Sequence, residues 1–441
     1  MLRRLAPLVL TFMVFFLYYA QFISISVCNF LVVLISTIVL FNVSRIPALQ
    51  LILCFCYLFP FYTLAYTNFG FSISDYSRFQ TEYLFSQFLF VHSLFFSGIA
   101  IAIKSSKSVV YLSSSIKKYR NDYVFYASLI MILTGCFLFR GVNIFTTSNP
   151  YEAYVNNLSV ESGLPEYLLV IIFLSFLFKP PFKASSFVFF VVVSFYCYKL
   201  ITLGYRVQFL MAFLLVFILL FEKFLKKYYA LFCFFVGFIV FSSLGYLKDG
   251  GLNNFDLAHL IFDTSPGFVL SHHTGVIYSS LAILGNIELG LITLLDRLYS
   301  NLGILLNTLV PSGIVNTSIP QSNMSIYVKS LTDTAGGVYA PLVFHVSFFP
   351  YVGPLLFGFL IGRLFTFSSN YSSFSLYSEN KFLNLSNLNG YYVTFIFATF
   401  PRWVSYDIGN FLFRLPLYML LLILVYNILV YLTSKKCSLI N

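Results

Sequence analysis

Twelve apolar runs punctuate the chain, at 5–22, 25–42, 47–68, 83–103, 123–139, 167–178, 185–203, 207–221, 229–247, 341–362, 387–400 and 411–433. A helix needs ~20 apolar residues to cross the hydrocarbon core of a bilayer. Most of the runs reach that length; the sixth, eighth and eleventh fall short. The pattern predicts an all-α, polytopic integral membrane protein with about 12 transmembrane helices. Leu5 to Ala20, behind Met1-Leu-Arg3-Arg4, has the outline of a signal peptide. No small-residue cleavage site follows and a second run begins within a few residues, which predicts an uncleaved first span.

One stretch breaks the alternation. Residues 248–340 form neither an apolar run nor a basic patch, opening with Lys248-Asp249-Gly250-Gly251 and closing with Thr334-Ala335-Gly336-Gly337. They carry His259, His272 and His273 and the pair Asp296-Arg297. Loops longer than ~15 residues are usually functional or disordered, and this one is too apolar for disorder, so it reads as the working part. Within it Leu289, Ile292, Leu295, Leu298, Leu302 and Leu305 recur at helical spacing, predicting a helix that lies in or near the outer interface. The organisation is therefore 1–247 with nine helices and a polar outer loop at 140–166, a large outer loop at 248–340, and 341–441 with three more helices. Pro341, Pro350, Gly353 and Pro354 predict a kinked tenth span whose irregular backbone faces protein or a water-filled cavity. The two halves show no internal repeat.

Composition sharpens this picture: 59% of the residues are hydrophobic and 9% charged, against ~25% charged in soluble domains. The formal charge of +11 would by itself suggest nucleic acid. Placement argues otherwise. With both termini cytoplasmic, 17 of the 26 lysines and arginines fall on inner segments, and only 3 of the 15 acidic residues do. The positive charge is an insertion signal, and no nucleic-acid partner is expected. The seven cysteines lie in apolar runs or, for Cys437, in the tail, and Cys54-Phe-Cys56 is too close for ordinary zinc-ligand spacing. No disulfide, metal or cofactor is expected.

The informative residues are cations that defy the inside rule by sitting at outer ends of spans. Lys199 and Arg206 are seven apart, on one face if the helix continues. Arg297 follows Asp296, Arg402 sits in Phe400-Pro401-Arg402-Trp403, and Arg414 lies near the start of the last span; Arg140, Lys248 and Lys329 are further outer cations. Arginine grips phosphate through a planar fork, so several arginines converging at one leaflet would make a pyrophosphate site. The bland alternative for each is a partner among the outer carboxylates, or a headgroup reached by snorkelling. His345 is the candidate proton acceptor, with Asp249, Asp296 and Asp333 as other bases, although Asp296 also fits as the residue that orients Arg297. His272 and His273 could supply a general base or a metal ligand, but adjacent histidines do not share a helical face and no third ligand follows at suitable spacing; the bland alternative is loop-lining polar groups. No nucleotide-binding loop or zinc-protease signature occurs.

Three stretches carry a resemblance. Thr202-Leu-Gly-Tyr-Arg206 running into Val207-Gln-Phe-Leu-Met-Ala, the proline-bounded Pro311 to Pro320 with Tyr327-Val-Lys329, and Gly336-Gly337-Val-Tyr-Ala-Pro341 followed by Pro350-Tyr-Val-Gly353 and Leu360-Ile-Gly362-Arg363 resemble the Wzy-type O-antigen polymerases of Gram-negative bacteria. Those belong to the wider class of polytopic, GT-C-like glycosyltransferases. The chain departs from the family at Ser312, where members often carry arginine, and at Phe344-His345, where they often carry glutamate.

The resemblance implies transfer of a growing glycan from undecaprenyl diphosphate to the next lipid-linked repeat unit, at the periplasmic face of the inner membrane. The resemblance carries a basic role to Arg206 alone; Arg297, Asp296 and His345 are catalytic candidates from their position, and the identity of the base stays open. Arg402, Arg414, Arg140, Lys199, Lys248, His272, His273 and Lys329 would bind substrate. Partners would be the lipid-linked donor and acceptor, membrane lipid and, as a candidate, a chain-length regulator protein. An O-antigen ligase, a repeat-unit flippase and a non-catalytic membrane scaffold are the rival readings.

Overall fold

The computed structural model describes residues 2–69, 78–103, 109, 111–112, 121–147, 149, 152–153, 156–157, 163–224, 229–237, 239, 266–309, 323–332, 334, 337–370, 385–406 and 408–438, and regular structure among them is entirely helical. The first eight helices track the apolar runs: α1 Leu2–Tyr19, α2 Ile25–Asn42, α3 Pro47–Phe69, α4 Glu82–Ala102, α5 Asp122–Leu138, α6 Leu164–Phe178, α7 Lys183–Thr202 and α8 Arg206–Leu220. Several begin where a polar side chain can satisfy the orphan N–H groups of a first turn. Ser24 accepts from the Val27 N–H, Thr81 from Leu84 and Asn121 from Val124.

Among the described residues, five stretches, Ile25–Asn42, Pro47–Asn68, Glu82–Ala102, Lys183–Thr202 and Gly409–Tyr426, are long and apolar enough to cross a membrane. Five shorter apolar helices accompany them: Arg4–Tyr19, Asp122–Leu138, Leu164–Phe178, Arg206–Leu220 and Val352–Thr366. The run pattern predicts about 12 spans, and the described residues carry these five of full length and five shorter ones. Of the ninth run, 229–237 is helical and most of the remainder lies outside the described residues.

The 248–340 stretch departs furthest from expectation. Its described part holds α9 Pro266–Glu288, α10 Leu294–Leu309 and α11 Met324–Leu331. Lys248 and the candidate bases Asp249 and Asp333 lie outside the described residues. Residues 275–286 of α9 are buried and pack against α3 and α4, so this segment is a core helix and not loop. Gly275, Ser279, Ser280, Gly285 and Asn286 dilute its apolar signal, yet the hydroxyls cost little because they bond within the helix. Ser279 Oγ donates to the Gly275 carbonyl at 2.9 Å and Ser280 Oγ to Val276 at 2.7 Å.

The expected amphipathic helix exists as α10, with its apolar face turned outward. Leu294, Leu295, Leu298, Leu302 and Leu305 are exposed, whereas Ser300 and Ile304 are buried and Arg297 half-buried. It starts later than the leucine spacing suggests because Gly290, at φ 71°, turns the chain first.

The tenth run divides into α12 Ala340–Ser347 and α13 Val352–Asn370. Pro341 sits in the first turn of α12, where a missing N–H costs nothing, and Pro350 lies in the break. In α4 and α13, Gly98 and Gly358 let the backbones touch: a Cβ on either would collide with the Leu355 or Phe95 carbonyl oxygen. The remaining elements are α14 Leu385–Ala398, a single turn α15 Phe400–Trp403, a π-helical turn Gly409–Arg414 and α16 Leu415–Ser438.

A polar relay crosses the middle of this core. Ser36 Oγ donates to the Val32 carbonyl at 2.9 Å and also lies 3.2 Å from His92 Nε2. With its own hydrogen spent, Ser36 must accept there, so Nε2 carries the proton and Nδ1 accepts from Tyr339 O–H at 3.0 Å. All three side chains are buried, and each is satisfied.

Candidate functional site

The irregular stretch between α14 and α16 is the feature on which the candidate site is built. Unwound backbone inside an apolar bundle persists only where protein or water satisfies it. Here α14 and the residue that follows it do so: Thr399 Oγ1 donates to the Phe411 carbonyl at 3.0 Å, and Tyr392 O–H donates to Leu412 at 2.7 Å. Trp403, fully buried, donates Nε1–H to Ile396 at 2.8 Å. The stretch also meets the irregular segment 337–339 and the start of α12. The Ala340 N–H donates to Val404 at 2.8 Å, and Ser325 Oγ donates to the Tyr406 carbonyl at 2.9 Å. A Cβ at Gly337 would strike the Ser405 carbonyl oxygen, so only glycine admits this approach.

Arg402 is held in this frame with no side-chain hydrogen bond to the described residues. Its guanidinium carbon lies 5.1 Å from the Tyr406 ring centroid and 5.8 Å from that of Phe411. Its polar neighbour is Glu166, with Nη2 to Oε1 at 3.9 Å, beyond the ~2.7–2.9 Å of a charge-assisted hydrogen bond. Arg402 Nε is buried with no partner among the described residues, while the side chain keeps 20% of its surface accessible. An aromatic-clamped, partly open guanidinium with unspent N–H groups is competent to grip an oxyanion.

Glu166 comes from the first turn of α6, which starts at Gly163, with φ 89°, and Pro165. A carboxylate there meets the positive end of the helix dipole. Tyr196 of α7 fixes the turn by donating to the Pro165 carbonyl at 2.6 Å, and Gln208 of α8 donates Nε2–H to Glu166 Oε1 at 2.9 Å. Neither Glu166 nor Gln208, Tyr406 or Phe411 stands out from the charge pattern. The legible signal for Glu166 is an acidic residue at the edge of an apolar run.

Arg206 opens α8 two residues before Gln208 and is half-buried. It does not share a helical face with Lys199, because the helix does not continue: Gly204, at φ 81°, ends α7 and turns the chain. Lys199 instead lies over the Phe195 ring at 6.0 Å. The turn before Arg206 is pinned to the segment that follows Arg140. Asn157 exchanges hydrogen bonds with the Val142 backbone and donates to Leu203, and Tyr205 O–H donates to the Asn157 carbonyl at 2.7 Å. Arg140 itself is exposed. Arg414, buried, donates Nε–H to Tyr418 O–H at 3.3 Å.

The remaining candidates gather elsewhere. Arg297 donates Nε–H to the Val346 carbonyl at 2.7 Å and reaches the His345 carbonyl from Nη2 at 3.5 Å, capping the C-terminus of α12. Ser300 and Ser347 share a hydrogen bond of 2.7 Å beside it. Asp296 accepts from Thr293 N–H at 2.8 Å and Thr293 Oγ1–H at 2.7 Å, and Thr293 Oγ1 accepts from Asp296 N–H, a reciprocal capping box at the start of α10. His345 is buried, and its Nδ1 accepts the Tyr351 N–H at 2.9 Å, so the lone pair expected to take a proton is already engaged. Tyr351 has φ 61°, and this bond steadies the strained turn. Lys329 is exposed on α11, and His272 and His273 lie in α9, not in a loop.

Comparison with protein-family models, with curated proteins and with solved structures gives no match for the chain.

Proposed function

We propose that the chain is a lipid-linked glycosyltransferase of the O-antigen polymerase type, with a GT-C-like arrangement of spans and a site opening to the periplasmic face of the inner membrane. The observation that carries this reading is Arg402: a guanidinium clamped by Tyr406 and Phe411 in a broken helix, with 20% of its side chain accessible. The donor would be a glycan on undecaprenyl diphosphate, and Arg402 would bind the diphosphate. As the anomeric C–O bond breaks, negative charge grows on the departing diphosphate, and a preorganised cation stabilises that charge more than the ground state. Arg206 opens the helix that also supplies Gln208 and would be a second cation for the diphosphate. The lipid-facing surfaces of the helices would carry the polyprenyl chains of donor and acceptor.

The test is glycan banding from cells lacking the chain, with and without wild type restored at matched membrane expression. The polymerase reading expects lipid A core capped by a single repeat unit in the deletion and a full ladder on complementation. Uncapped core with polymer still on undecaprenyl diphosphate would indicate a ligase. Unpolymerised repeat units accumulating on the cytoplasmic side would indicate a flippase.

A further inference from the structure

Resting on the polymerase reading, we infer that Glu166 is the base that takes the proton of the acceptor hydroxyl. His345 has its Nδ1 committed to Tyr351, and Asp296 is spent on Thr293. Glu166 is differently placed. Its Oε1 faces Gln208 and Arg402, while Oε2 has no hydrogen-bond partner among the described residues. The side chain is 11% accessible, enough to be reached from outside the core. The groups gathered around it are Arg402 from α15, Tyr196 from α7, and Gln208 from α8, the helix that Arg206 opens.

One carboxylate oxygen is thus oriented and the other open, beside the guanidinium that would hold the leaving group. In the step, the acceptor hydroxyl oxygen forms the new bond to the anomeric carbon and its proton passes to Glu166 Oε2. The bond from that carbon to the diphosphate oxygen breaks, and its electron pair leaves on undecaprenyl diphosphate against Arg402. The arrangement couples the two charges: as Glu166 is neutralised, Arg402 loses its counter-ion just when the diphosphate gains charge.

The experiment uses the full chain in proteoliposomes with a synthetic undecaprenyl-diphosphate-linked repeat unit. It measures polymer formation and, separately, thermal stabilisation by added undecaprenyl diphosphate. Glu166→Gln keeps the shape of the side chain and is expected to lower transfer ~100-fold or more, while binding of undecaprenyl diphosphate is kept or tightened because Arg402 is freed. Glu166→Ala is expected to be inactive and to regain transfer with added formate. Wild-type transfer by Glu166→Gln, or loss of undecaprenyl diphosphate binding together with transfer, would overturn the inference. A wild-type chain that makes no polymer from a competent repeat unit would sink the polymerase reading itself, a result distinct from either.

Discussion

Arg297 and Arg402 occupy equivalent places in the charge pattern, each an outlying cation beside an apolar segment, and the structure puts them to opposite uses. Arg297 reaches from α10 to the last carbonyls of α12 and spends its guanidinium on backbone. Burial also lowers its pKa from the ordinary arginine value, though a guanidinium stays charged across the physiological range. Arg402 lies over two aromatic rings, 3.9 Å from a carboxylate, with Nε unpartnered. A cation whose donors are spent holds the fold; one whose donors are idle is available to a ligand. The His92 relay makes the same point from the core, since every atom of the Ser36–His92–Tyr339 chain is accounted for and nothing remains to act on a substrate.

That contrast is sharpest under mutation. Arg402→Ala is expected to reduce transfer ~100-fold to 1000-fold, the scale of losing one preorganised charge-stabilising donor, with the folded yield little changed; polymer formed per unit of folded protein is the readout. Arg297→Ala is expected to act on stability, costing ~1–3 kcal/mol for a charge-assisted hydrogen bond to buried carbonyls. A lower unfolding temperature in detergent, with transfer per folded molecule unchanged, would bear this out. His345→Ala removes the acceptor for the Tyr351 N–H and should cost ~1 kcal/mol, again without loss of transfer. A His345→Ala chain that is fully folded yet inactive would return the histidine to the chemistry and undo the comparison.

The helical boundaries were largely legible because apolar runs and capping residues state them locally. The second run, 25–42, coincides with α2 Ile25–Asn42, with Ser24 as its cap. The α9 core helix was not legible as an apolar run, since glycine, serine, histidine and asparagine interrupt its apolar residues. The separation of Lys199 from Arg206 was written in Gly204, and the capping role of Asp296 in its spacing from Thr293. His345 was a different matter. Its fate depends on a backbone N–H six residues on, presented by a turn at positive φ that no periodicity announces. Likewise the pairing of Glu166 with Arg402 joins residues 236 positions apart, a contact that charge pattern and spacing do not encode.

Binding of undecaprenyl diphosphate to purified wild type, Arg402→Ala and Arg297→Ala, read as a shift in unfolding temperature at saturating lipid, tests the central claim most directly. Assignment of the diphosphate to Arg402 predicts the same shift for wild type and Arg297→Ala, from different starting temperatures, and none for Arg402→Ala. A full shift in Arg402→Ala, or its loss in Arg297→Ala alone, would contradict it.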